Sequence, residues 1–92
     1  MTAPVALRPG KTRRVLAALV EGRRLDRFAA EELGDHTLNT TVSVLQIRHG
    51  IHVQREVVKA RNAYGPFWHC RYWLDEVNAA RARQLLAERH VG

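Results

Sequence analysis

Ninety-two residues, 46% of them apolar and 26% charged, suit one small folded domain and exclude both a disordered tail and a multidomain enzyme. The net charge is +6, with 13 Arg against 2 Lys. That balance points to a polyanionic partner, because each cation placed on a phosphate releases counterions; a solvated basic surface is the alternative reading. Cys70 stands alone, which excludes an intrachain disulfide and fits a reducing interior. No apolar run reaches the length of a membrane span, and MTAPVALRPG lacks a signal-peptide core. The expectation is a cytoplasmic, nucleoid-associated protein with no membrane partner.

Residues 1–10 hold two prolines and a glycine without periodicity and read as a flexible N-terminal arm, leaving residues 11–92 as a single domain. Arg8, Lys11, Arg13 and Arg14 make this end basic, suited to lie along phosphate or in a minor groove. A first helix is predicted from about Thr12, as N-cap, to Glu21. Its apolar stripe is Val15, Leu16, Leu19 and Val20, and Gly22 stops it. Arg23, Arg24 and Leu25 form a short link with one or two strand residues.

Asp26 is the predicted cap of a second helix that turns Phe28, Ala29 and Leu33 inward, sets Ala30 at a close helix approach and ends at Gly34. A third helix begins near Thr37 or Leu38, capped by Asp35 or Thr37. Leu38, Val42, Leu45 and His49 share its inner face. Thr37, Thr40, Ser43, Val44 and Ile47 lie opposite, with Asn39 and Gln46 on one flank and Thr41 and Arg48 on the other. Short uncharged polar side chains of this kind suit base edges, and Thr methyls suit thymine. Ile51 to Lys59 alternates as a strand with Ile51, Val53 and Val57 inward. RNAYGP reads as a hairpin tip, and FWHCRYWL as the return strand. On that strand Trp68, Cys70 and Tyr72 share one face; Phe67, His69 and Trp73 share the other. One set is expected on the helices and the second against a C-terminal helix, with an exposed dimer patch as the alternative. Asp75 caps that last helix, whose apolar residues are Val77, Ala79, Ala80, Ala82, Leu85 and Leu86.

Helix, turn, helix and strand in this order resemble the winged helix-turn-helix DNA-binding domains of bacteria and phages. LNTTVSVLQIRHGIHV followed by CRYWL is similar to the recognition-helix-plus-strand segment of biotin-repressor-type domains and to small helix-turn-helix proteins of prophages. The shared features are a Thr/Ser-rich helix start at Asn39 to Thr41, buried aliphatics at Val42 and Leu45, a stop at Gly50 and a β-branched strand at Ile51 and Val53. Ala30 and Gly34 also fit the simple helix-turn-helix, but Val42 and Leu45 arrive two residues late. The turn is therefore longer, which favours the winged branch.

Other chemistry finds little footing. His49 and His52 straddle a helix end and a strand, and His69 and Cys70 are adjacent on a strand and point to opposite faces, so no tetrahedral metal site follows. There is no P-loop, no dinucleotide fingerprint and no paired-carboxylate motif. No enzyme activity, cofactor or small-molecule ligand is expected.

The resulting expectation is an α+β winged helix-turn-helix with a three-helix core, a β-hairpin wing and a C-terminal helix. Its function would be sequence-specific double-stranded DNA binding by a small transcriptional regulator of bacterial, phage or plasmid origin, as a possible homodimer. Base contacts would come from Thr37, Asn39, Thr40, Ser43, Val44 and Ile47. Backbone contacts would come from Arg13, Arg14, Arg48, Lys59, Arg61, Asn62 and Tyr64. The rival from another class is a protein–protein interaction module on the same scaffold, favoured by Val44 and Ile47 on the outer face.

Overall fold

The structure, a computed structural model, describes residues 7–87. Among them are four helices and one two-stranded hairpin, in the order α1 (Lys11–Val20), α2 (Arg27–Glu32), α3 (Leu38–His49), β1 (Gln54–Asn62), β2 (Gly65–Trp73) and α4 (Glu76–Ala87). This is a small α+β arrangement, compatible with a winged helix. The core is built from one face of each helix. Val15, Leu16 and Leu19 of α1 meet Leu38, Val42 and Leu45 of α3, with Ala82 and Leu85 of α4 closing the cluster. Ala30, the buried residue of α2, is fully enclosed as expected.

Helix ends follow local chemistry in three places. The Asp26 carboxylate accepts from the amides of Phe28 and Ala29, and Asp75 accepts from Asn78 at the start of α4. Gly50 closes α3 in the left-handed region at φ 66°. At α1, however, Gly10 rather than Thr12 occupies the cap position, with no side-chain cap bond. In the N-terminal segment Leu7 is buried in the core, while Arg8 and Pro9 are exposed. Residues 1–6 of the expected arm lie outside the described residues.

The two strands pair antiparallel from Gln54↔Trp73 to Asn62↔Gly65, leaving Ala63 and Tyr64 as the turn. Asn62 Oδ1 accepts from the Tyr64 amide, and Gly65 takes a positive φ of 114° to close the turn. At the base of the hairpin Leu25 bridges Tyr72, with both N–H···O bonds at 2.8 Å. The link after α1 thus supplies the strand residue expected there. Among the described residues the outer edge of β1 has no strand partner.

The hairpin outruns the core, and that corrects several packing expectations. Ile51 and Val53 are buried ahead of β1, but Val57, further out along the hairpin, is 64% exposed. Phe28 points outward onto the hairpin, its ring edge-on to Phe67 at 6.1 Å and to His69 at 6.0 Å. The face bearing Phe67 and His69 therefore packs on α2, not on the C-terminal helix. Instead α4 lies along α1, with Val77 and Ala80 left exposed. No helix among the described residues is long and apolar enough to cross a membrane.

Candidate nucleic-acid interface

Around α3 the side chains sort by angle. Leu38, Val42 and Leu45 face the core as the spacing requires, with His49 half-buried behind them. Burial, then the neighbouring Arg48, push the His49 pKa below the ordinary histidine value, so its imidazole is neutral at pH 7. Thr41, expected on a flank, is buried. Its hydroxyl donates to the Asp35 carboxylate, which also accepts from the Thr37 amide at 2.9 Å. Asp35 is itself fully buried. Burial raises its pKa, but the Thr41 hydroxyl, the Thr37 amide and the Lys11 ammonium 3.7 Å away outweigh it, and the carboxyl titrates below its usual range. This carboxylate fixes the turn between α2 and α3, and with it the angle at which α3 is presented.

The exposed residues of α3 are Asn39, Thr40, Ser43, Gln46, Ile47 and Arg48, with Ile47 at 83%. Arg48 lies to one flank, and the arc formed by the others carries no charge. Ser43 donates back to the Asn39 carbonyl at 3.1 Å, which leaves its oxygen lone pairs outward. Gln46 accepts from the Val53 amide and so stitches α3 to the entry of β1. Two of the expected base-reading residues sit off this arc. Thr37 is at the helix start, with its hydroxyl between Lys11 Nζ and Asp35. Val44 is half-buried against the N-terminal segment.

A groove flanks the arc on each side. One runs between α3 and the hairpin, where Asn39, Thr40, Ser43 and Gln46 face His52, Gln54 and Arg55. The other lies between α3 and the segment before α1, lined by Arg8, Lys11, Val44 and Arg48 among others. Neither groove is lined by any carboxylate. A polyanion laid across α3 would meet cations on both flanks.

The expected backbone ligands divide. Arg48 lines the second groove. Lys59, Arg61, Asn62 and Tyr64 are exposed along the outer half of the hairpin, Tyr64 at 98%. Arg13 is committed elsewhere: its guanidinium donates to the Leu7 carbonyl at 3.0 Å and to the Leu86 carbonyl at 2.7 Å, clamping the N-terminal segment to α4. Arg14 donates to the Leu33 carbonyl at 2.8 Å and caps the end of α2. Arg13 thus has donors taken up within the fold, whereas Arg14 stays exposed and gives its Nε to Leu33. Two further cations line the grooves. Arg55 enters the first groove because pairing opposite Tyr72 puts it on the α3 side of the hairpin. Arg8 enters the second because Leu7 anchors the segment. Strict alternation with Lys59 was a usable signal for Arg55, and Arg8 belongs to the basic N-terminal group read from the sequence.

Among the described residues no group of three or more His, Cys, Asp or Glu is placed to hold a metal ion. Comparison with protein-family models, with curated proteins and with solved structures found no match to this chain.

Proposed function

We propose that this chain is a sequence-specific double-stranded DNA-binding protein of winged helix-turn-helix architecture, acting as a small transcriptional regulator. The observation that carries this reading is the uncharged polar arc of α3 between two grooves lined with cations and free of carboxylates. Asn39, Thr40 and Ser43 are short donors and acceptors of the kind that meets base edges in a major groove. Arg8, Arg48 and Arg55 hold phosphates beside the helix, and Lys59 and Arg61 reach further along the duplex through the hairpin. Two copies, one on each half-site, would multiply a small single-domain contact.

The test is titration of duplex DNA from the protein's own genomic neighbourhood over a range of salt. With about five phosphate contacts, log K should fall against log salt with a slope of about −4.5. No binding at low salt, or a flat salt response, overturns the reading. A protein–protein interaction module is the second reading, and Ile47, in the middle of the arc and 83% exposed, is the observation that favours it. Light scattering of the free and DNA-bound protein reports the pairing.

A further inference from the structure

One face of the hairpin sets an exposed aromatic side chain beside the cations Arg55, Lys59 and Arg61. The register puts Arg55, Val57, Lys59 and Arg61 of β1 on the same side as Trp68, Cys70 and Tyr72 of β2. Trp68 is 67% exposed and Val57 64%, and the Lys59 ammonium lies 5.7 Å from the Trp68 ring centroid. Glu56, the acidic residue of these strands, is on the opposite side, held by Arg24 at 3.3 Å and Arg71 at 3.8 Å. The face is therefore aromatic and cationic with no carboxylate. Lys59 and its partner Trp68 stand three residues back from Asn62 at the turn, about 10 Å along the strand. Trp68 is thus not a tip residue meeting a groove edge. At its base the face runs into the α3 groove, since Arg55 and Tyr72 line both.

We propose that this face is a stacking platform for unpaired DNA: a single strand continuing from the duplex held by α3, with a base on the Trp68 indole and phosphates along Arg55, Lys59 and Arg61. The inference rests on the duplex-binding reading. Every base has a π-face, so an exposed indole binds any of them, and a cationic track supplies the electrostatic part. Along β1 alternate residues are spaced about 6.6 Å apart, so the cations follow the strand axis and lead the phosphate chain away from α3. Charge complementarity selects a polyanion as occupant, and the broad, flat, largely exposed ring with Lys59 beside it selects bases that are free of their stack.

The experiment uses the whole chain and two labelled DNAs in anisotropy titrations. One is a blunt duplex; the other is the same duplex with a tail of about ten thymidines, within known single-strand site sizes of ~4–16 nucleotides. The tailed DNA is expected to bind more tightly. Trp68→Ala should remove that advantage, about tenfold, and leave blunt binding unchanged, while Trp68→Phe keeps most of it. Blunt binding with no gain from the tail overturns the platform and leaves the duplex reading intact. Equal weakening of both DNAs by Trp68→Ala also overturns it, placing the indole on duplex. So does a dimer, formed without DNA, that Trp68→Ala dissolves, since the face is then covered by a second copy. Failure of both DNAs to bind at low salt overturns the duplex reading itself.

Discussion

The Asp35 carboxylate and the Thr41 hydroxyl meet inside the fold, where Asp35 is fully buried and Thr41 almost so. A hydrogen bond to a charged group contributes about 1.5–3 kcal/mol, and the bare carboxylate left behind adds a desolvation penalty. Thr41→Val should therefore destabilise the protein by about 2–3 kcal/mol in denaturant titration. A change below 0.5 kcal/mol would show that water replaces the hydroxyl, at roughly the scale of an ordinary surface substitution.

The same carboxylate sets the acid limit. Its folded pKa lies below the unfolded value, so its contribution to stability is complete above the unfolded pKa, near 3.9. It is lost as pH falls from there through the folded pKa. Thermal melts from pH 7 to pH 2.5 should be level near neutrality and fall steeply below about pH 4. Asp35→Asn should be less stable at pH 7 and show a shallower acid decline than the parent. Parallel declines would assign the acid transition to other carboxyls, with Asp75 the first to examine because hydrogen bonds from Asn78 lower its pKa too.

Arg13 and Arg61 should behave as opposites. Arg13→Ala removes two charge-assisted bonds to carbonyls, so it should cost about 1–3 kcal/mol of stability and leave the salt slope of DNA binding alone. Arg61→Ala, on an exposed side chain, should leave stability within about 0.5 kcal/mol and flatten the salt slope by about one unit. Paired denaturation and salt titrations decide, and a reversed outcome would return Arg13 to the interface.

Thr40 and Ser43 test readout. Each is exposed and outside the core, so alanine should spare the fold. Each change should cost about 1–3 kcal/mol on the true site and little on random DNA. If the ratio of specific to random affinity does not move, the α3 arc does not read sequence, and Ile47 becomes the centre of a protein contact.

Gly50 is a purely conformational position. Its φ is 66° and a methyl there would meet nothing within 4 Å. Gly50→Ala should cost about 1–2 kcal/mol from the left-handed backbone alone. No loss of melting temperature would mean that α3 ends differently.

What could be read from the chain was what is local. The Asp26 and Asp75 caps, the Gly50 stop and the Leu38, Val42, Leu45 face depend on neighbours within one or two turns, and they were legible. Asp35 was legible as a candidate cap for α3 but not as a buried carboxylate, because Lys11, 24 positions earlier, and Thr41 close around it. The Arg13 clamp was hidden for the same reason, since one of its carbonyl partners, Leu86, is 73 positions away. Val57 was assigned to a buried face because alternation gives the side of a strand but not how far the core extends beneath it. Arg55 was hidden by that assignment.

The open outer edge of β1 has a bearing on solubility. A row of unpaired amides and carbonyls beside exposed Val57 and Trp68 is a template on which a second molecule can add a strand and begin to aggregate. Arg55, Glu56, Lys59 and Arg61 stand along that strand as gatekeepers, and like charges facing one another deter edge-to-edge growth. The cations proposed to meet phosphate would thus also keep the chain dispersed. Neutralising several at once should lower its solubility limit, and nucleic acid bound along the hairpin should guard the edge in their place.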